Sequence, residues 1–173
     1  MSDHRITEMR IHCVSIPARA VHSHGSGDVG GINVALCELT TDSGLTGWGE
    51  ASPWPVFTGT QEGAAAALHV HFRPLVIGQD PVLVEPIMAQ AERVLVGHPE
   101  AKAALECALL DLTGQIAGLP IAELLGGRAR DSMPLSFSIA HPDFDADQAD
   151  VAQIWDSGVR IFKLKTGFTD HAF

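Results

Sequence analysis

The alternation of apolar and polar residues predicts three β-strands in the first part of the chain. Apolar residues recur at about every second position over 6–14, 32–39 and 45–50, which is the period of a strand with one buried face. The turn Asp42-Ser43-Gly44 separates the last two runs, so we expect an antiparallel hairpin. Residues 17–31 are rich in glycine and offer little to bury, and we expect a mobile loop there.

A region of helical periodicity follows a second expected loop at 51–60. The third helix has the most regular apolar stripe, formed by Ala104, Leu105, Ala108, Leu109 and Leu112. Gly118-Leu119-Pro120 is predicted to end it, because glycine closes a helix and proline cannot continue one. The predicted helices cover 63–72, 82–96, 99–117 and 120–125.

The last part of the chain predicts a strand, a helix and a strand over 133–140, 143–157 and 159–166. Short joints between these elements indicate a βαβ unit with parallel strands. Asp143 or Asp145 is expected to cap the helix, and Gly158 to end it. The sequence therefore predicts an α+β domain over 1–130, followed over 131–173 by the start of an α/β domain.

Composition narrows the function classes. The 173 residues carry a net charge of −10, and 46% of them are hydrophobic. This acidic balance, with a pI near 5.2, argues against nucleic acid or an anionic membrane as partner. No apolar stretch reaches the roughly 18 residues that a membrane span needs. Three cysteines without metal-ligand spacing and an N-terminus without a signal core predict a cytoplasmic protein.

The pair Lys163 and Lys165 is the strongest candidate for chemistry. Side chains at i and i+2 of a strand point to the same face, so both ammonium groups point the same way. In a pocket, mutual repulsion and burial favour loss of a proton from one amine, which makes it a base for a carbon next to a carboxylate. On a solvent-exposed strand face the same pair would have no catalytic role. The apolar Ile161 shares the face of the lysines and argues only weakly against such exposure.

Other polar clusters favour structural explanations. His22 and His24, in the same expected loop as Asp28, could chelate an ion as a pair, but a third ligand is not evident, so an active-site lid or a surface loop is preferred there. His69 and His71 diverge on a helix and are not expected to chelate one ion. The aspartates at 143, 145 and 147 lack the glycine and glutamate of a calcium loop, which favours helix capping.

Five motifs follow one another along the chain. They are Ser43-Gly44-Leu45-Thr46-Gly47-Trp48-Gly49-Glu50, the helix segment 101–112, Gly118-Leu119-Pro120, Leu124-Leu125-Gly126-Gly127 and Lys163-Leu164-Lys165. In this order they resemble the enolase superfamily, in particular its muconate-lactonizing subgroup, over essentially the whole chain. The resemblance implies an N-terminal capping domain over a modified (β/α) TIM-type barrel, with the site at the carboxyl ends of the barrel strands.

The resemblance implies roles for the lysines and the loops. Lys165 would be the base or acid on one face of the substrate, and Lys163 would tune its charge. Loops 17–31 and 51–60 would close over the barrel mouth, exclude water and select the substrate. A Mg²⁺ or Mn²⁺ ion would stabilise the enolate. The family's metal ligands lie on later barrel strands, so none is assigned in this chain, and we expect the 173 residues alone to be inactive.

Substrate and partners are implied less closely. The leading expectation is a muconate cycloisomerase-like isomerase acting on a small carboxylate, as a homo-oligomer without nucleic acid or membrane. An epimerase or dehydratase of a proline-type amino acid or a dipeptide is the alternative, and an inert capping-domain fragment is the alternative class. Candidate substrate-binding residues are His24, Trp54, Phe57, Ser136 and Ser138.

Overall fold

The computed structural model of the protein describes residues 4–24, 27–139 and 143–164. The chain starts with strands β1 (Ile6–His24), β2 (Gly27–Thr41) and β3 (Thr46–Ala51), which form one sheet in that order. β2 and β3 are antiparallel. Two side-chain contacts join β1 to β2, His12–Glu38 and Ser15–Asn33, both at 2.7 Å. From the first contact to the second, the residue number rises on β1 and falls on β2, so these two strands are antiparallel as well.

The expected mobile loop over 17–31 is wrong for the described residues of that range, because β1 and β2 both extend into it. A Cβ atom on Gly31 would lie 2.7 Å from the Ile16 carbonyl oxygen, so this glycine allows two strand backbones to approach closely. Pro17 is tolerated because β1 is an edge strand. Glycine content alone did not distinguish a close strand pair from a loop.

The predicted helices are present, with shifted ends. The expected helix at 63–72 begins earlier, where the Thr60 hydroxyl accepts a hydrogen bond from Gly63 N, and it passes into a wider π-helical turn. The helix at 99–117 ends as predicted, with Gly118 at φ 65°. The elements are α1 (Gln61–Ala66), the π-helix (Ala67–Phe72), α2 (Arg73–Val76), α3 (Val84–Val94), α4 (Pro99–Ala117) and α5 (Ile121–Leu124).

Strand β3 lies directly against helix α4. A Cβ atom on Gly49 would fall inside the contact radius of the Ala104 carbonyl oxygen, and one on Gly47 would meet that of Ala108. The two glycines therefore remove side chains where strand and helix backbones touch. Trp48, between them, points to the other face of the sheet and is exposed.

Side chains of α4 also hold the free edge of β3. The Asp111 carboxylate accepts from Trp48 N at 2.9 Å, and the Gln115 amide donates to the Thr46 carbonyl at 2.7 Å. Outward-facing backbone groups of an edge strand otherwise invite pairing with another chain. The α4 helix thus both packs on β3 and satisfies its edge.

The core lies between the sheet and the helices. The predicted apolar stripe of α4 is fully buried, as are Leu39 on β2 and Phe72 on the π-helix. Cys37 shares this core, and burial raises the pKa of its thiol to about 12. At the rim, Lys102 is buried to 7% exposure and its ammonium donates to Glu92 at 2.6 Å, which ties α4 to α3.

The chain divides into two compact units, Met1–Pro17 with Gly31–Gly127, and Ala18–Gly30 with Arg128–Phe173. The end of β1 and the start of β2 thus belong to the second unit. The boundary at 130, read from sequence, stays a prediction. The second unit also contains β4 (Ser136–Ile139), α6 (Phe144–Asp156) and β5 (Ile161–Leu164), with β4 and β5 parallel as expected for a βαβ unit. Asp143 caps α6 by accepting from Asp145 N at 3.0 Å, which confirms the capping prediction.

Candidate active site

Lys163 lies on β5, next to Ser138 on β4. The parallel register pairs Ser136 with Ile161, Phe137 with Phe162, Ser138 with Lys163 and Ile139 with Leu164. Paired residues of neighbouring strands point to the same side of a sheet, and the sides alternate along each strand. Among the paired residues, one face therefore carries both serines with Ile161 and Lys163, and the other carries the apolar Phe137, Ile139, Phe162 and Leu164.

Helix α6 packs on the apolar face. The Trp155 ring, near the end of α6, stacks on the Phe162 ring with centroids 6.4 Å apart and an interplanar angle of 12°. Phe162 thus points toward the helix, and its neighbour Lys163 points away from it. In a βαβ unit of a barrel the helices lie outside, so the face opposite α6 corresponds to the barrel interior. The sequence pattern alone left this choice of face open.

The candidate residues assigned to this face differ in exposure, and not all of them are described. Ser138 is half-buried and Ser136 is exposed, as is Lys163. Lys165 lies outside the described residues. The structure therefore brings Ser136, Ser138 and Lys163 to one face, and the role of the lysine pair stays a prediction.

The apolar loop candidates lie in the first unit, after β3. Trp54 is half-buried and Phe57 is 72% exposed, and their ring centroids are 5.8 Å apart. The Trp54 carbonyl accepts from the backbone N–H groups of Phe57, Thr58 and Gly59 at 2.9, 2.9 and 3.2 Å. These bonds fold 54–59 into a compact turn that presents Phe57 to solvent.

The histidine candidates do not form a described site. His22 and His24 lie on β1 and Asp28 on β2, and their side chains are outside the described set. His69 and His71 are both exposed on the π-helix. Within 4–24, 27–139 and 143–164, no three His, Cys, Asp or Glu side chains converge to hold a metal ion. The residues described do not fit a metal centre.

Sequence reasoning missed the residues that orient β5. Arg160 and Trp155 contact each other at the joint between α6 and β5, and neither had been singled out. A usable signal was present, since Arg160 shares a strand face with Phe162 and not with Lys163. The roles of Gly47 and Gly49 had a similar signal, because two glycines two positions apart in a strand clear one face.

Comparison with known proteins gives a consistent family assignment. Residues 6–126 match the model of the mandelate racemase / muconate lactonizing enzyme N-terminal domain. The chain is 33% identical over 138 residues to an L-Ala-D/L-Glu epimerase of Bacillus subtilis (strain 168), covering 79% of this chain and 37% of the relative. In the described part of the chain, no helix has the length and apolar character to cross a bilayer.

Solved structures agree in fold. A muconate cycloisomerase from Azorhizobium caulinodans is 44% identical with a TM-score of 0.81, and the match covers 99% of this chain and 44% of that one. A mandelate racemase/muconate lactonizing enzyme family structure from Roseovarius nubinhibens ISM, complexed with magnesium, is 32% identical with a TM-score of 0.87, covering 96% and 45%.

The chain thus spans less than half the length of these relatives. Its antiparallel sheet and helices are those expected of the capping domain, and the neighbours are enolase-superfamily TIM-barrel proteins. Both the resemblance drawn from the sequence motifs and the fold class are confirmed. The chain belongs to the mandelate racemase / muconate lactonizing enzyme family, of which it contains the N-terminal domain.

Proposed function

We propose that the complete polypeptide containing this chain is a cycloisomerase in which Lys165 transfers a proton at the α-carbon of a small carboxylate, beside Lys163. The observation that carries the proposal is the position of Lys163 on the face of β4 and β5 opposite α6, next to Ser138. A strand continued by two residues would place Lys165 on the same face. A second amine on the same face favours loss of a proton from one of the two, which makes it a base for a carbon next to a carboxylate.

The chemistry follows from two neighbouring amines. In the proton-abstraction direction, the α C–H bond breaks, its electron pair passes into the carboxylate as an enolate, and the Lys165 nitrogen gains the proton. In lactonization the sense is reversed, and the ammonium of Lys165 protonates the enolate left by ring closure. The charge of Lys163 disfavours a second nearby ammonium and so favours release of the proton. Ser138 offers a hydroxyl to the substrate on the same face.

The loop residues Trp54 and Phe57 remain substrate-binding candidates in this proposal. Phe57 is an exposed apolar side chain on a compact turn, suited to contact the carbon chain of a small carboxylate. Trp54 packs beside it and would form an apolar wall. His24, at the end of β1, is retained as a substrate-binding candidate.

Cofactor, assembly and location complete the proposal. A Mg²⁺ or Mn²⁺ ion would supply positive charge to the carboxylate, as the magnesium complex of the Roseovarius relative supports. The described residues here do not hold it, so its ligands are expected elsewhere in the polypeptide. We further propose a cytoplasmic homo-oligomer, a location supported by free Cys13, Cys37 and Cys107.

The lysines themselves give a matched test, because the sequence has three of them. In the complete polypeptide with added Mg²⁺, Lys165→Met is expected to lower kcat for cis,cis-muconate by about a thousandfold or more, since a positioned proton donor is lost. Lys163→Met should cost less, about tenfold to a hundredfold. Lys102→Met is the control, because Lys102 pairs with Glu92 in the first unit. A Lys165→Met protein as active as wild type contradicts the proposal.

Substrate choice needs a separate comparison, because the epimerase relative favours a second candidate function. Lactonization of cis,cis-muconate and deuterium uptake by L-Ala-D-Glu in D₂O are measured side by side. Lysine-dependent turnover of muconate supports the cycloisomerase. Lysine-dependent exchange on the dipeptide alone replaces it with an epimerase. The isolated 173-residue chain, assayed in parallel, tests the expectation that it is inactive.

A further inference from the structure

The joint between α6 and β5 contains a three-membered stack on the apolar face of the second unit. The Arg160 guanidinium carbon lies 4.1 Å from the Trp155 ring centroid, within the range of a cation–π contact. The same Trp155 ring stacks on Phe162 of β5. Arg160 and Phe162 are two residues apart, so both point to the α6 side of the strand.

Arg160 also satisfies the end of the helix. Its Nη1 donates to the Trp155 carbonyl at 2.5 Å and to the Val159 carbonyl at 2.9 Å. The carbonyls of a last helical turn lack intrahelical partners, and a cation near them is favourable. One side chain therefore binds the helix terminus, the ring above it and the first residues that lead into β5.

The alternation of residues along β5 does not show which of its faces packs against α6, whereas the stack of Arg160, Trp155 and Phe162 does. Residues 159, 161 and 163 share one face of the strand and residues 160, 162 and 164 the other, and both faces carry apolar side chains. A rotation of the strand that exchanges its faces would turn every side chain to the opposite side. Hydrophobicity alone gives little preference, since Ile161 and Leu164 are exposed to similar degrees, 48% and 56%. The Trp155–Phe162 contact fixes which face meets α6.

We infer that Trp155 and Arg160 are positioning residues for the lysine pair. By holding Phe162 against α6, they direct Lys163 to the face that carries Ser138. A strand continued by two residues would carry Lys165 to the same face. The inference rests on the proposed function, because only a lysine used in catalysis makes the facing of β5 matter to activity. Neither residue touches the substrate in this arrangement.

The experiment uses the complete polypeptide, the muconate assay with Mg²⁺, and four variants. Trp155→Ala is expected to lower kcat by about tenfold or more with a small change in KM, because misplacing a catalytic group by about an ångström carries a cost of this size. Trp155→Phe should restore most of kcat, since it keeps an aromatic partner for Phe162. Arg160→Met should fall between them. Trp48→Ala is the control, because Trp48 is 46% exposed, close to the 49% of Trp155, but lies on the first-unit sheet.

The pH dependence of kcat/KM separates positioning from loss of fold. We expect its alkaline limb to shift in Trp155→Ala, because Lys165 acts as the proton donor in this assay and lies in changed surroundings, and to return in Trp155→Phe. A mixture of folded and unfolded protein would lower kcat/KM by the same factor at every pH and would leave the position of the limb unchanged. If Trp155→Ala does not fold, the Arg160→Met profile decides by the same criterion.

The two proposals fail in different ways. If Lys165→Met removes activity while Trp155→Ala and Arg160→Met keep the wild-type kcat and pH profile, the positioning inference is overturned and the proposed function stands. If Lys165→Met retains full activity, the proposed function fails first. A shifted limb in Trp155→Ala, with Trp48→Ala unchanged, supports the inference.

Discussion

The two units of this chain stabilise their elements in different ways. In the first, α4 and the sheet enclose a continuous core, and most of its large apolar side chains are fully buried. In the second, parallel strands β4 and β5 have one helix on one face, and large side chains such as Met133 and Leu135 are exposed. Parallel sheets are normally covered on both faces. The candidate chemistry thus lies on the unit whose described large side chains are mostly exposed, and the continuous core lies in the other unit.

Gly49 offers the most severe way to break the first unit. Gly49→Ala is expected to destabilise the chain by about 4 kcal/mol or more, because the new methyl group would overlap the Ala104 carbonyl and force β3 off α4. Urea unfolding measures the change. Gly63→Ala is the matched control, since a Cβ there would meet only Thr60 Oγ1 at 3.5 Å, and it should be neutral or slightly stabilising. Equal stability of the two variants would refute the close-packing explanation.

Paired leucine truncations compare the two units directly. Leu109→Ala is expected to cost about 2–5 kcal/mol, because Leu109 is fully buried and its loss leaves a cavity. Leu135→Ala, at 74% exposure in the second unit, should cost less than about 0.5 kcal/mol. Urea unfolding, followed by hydrogen exchange resolved by segment, provides the measurement. A large loss from Leu135→Ala would show that the second unit has a core that the exposures do not reveal.

Cys37 gives an effect that is confined to alkaline pH and is absent near neutrality. Its buried thiol has a pKa of about 12, whereas the unfolded thiol titrates near 9. Above the lower value the unfolded state binds fewer protons, so stability should decline as the pH rises from about 9 toward 12. Cys37→Ala should remove this part of the alkaline slope. Alkylation at pH 8 followed by mass spectrometry is expected to label the exposed Cys13 and Cys107 and to spare Cys37 in folded protein; rapid labelling of Cys37 would contradict its burial.

Much of the fold could be predicted from local patterns. The period-two runs gave three strands, and the stripe on 99–117 gave a helix with its core face and its glycine end. These succeed because helix and strand periodicities, caps and stops are properties of a few neighbouring residues. The failure at 17–31 has the opposite cause. Whether glycines serve a loop or a close strand pair depends on a strand more than ten residues away.

For the candidate site too, one part could be predicted from the sequence and another part required the structure. The sequence by itself indicated the family and the candidate pair Lys163 and Lys165, which strand alternation predicts to share one face. Only the tertiary structure decided which face that is, because Trp155 and Phe162 meet through packing between helix and strand. The tertiary structure also explains Gly47 and Gly49, because a residue without a side chain is required only where the backbone of α4 lies against β3. Residue spacing along a strand determines which side chains share a face, and the packing of neighbouring elements determines where that face points.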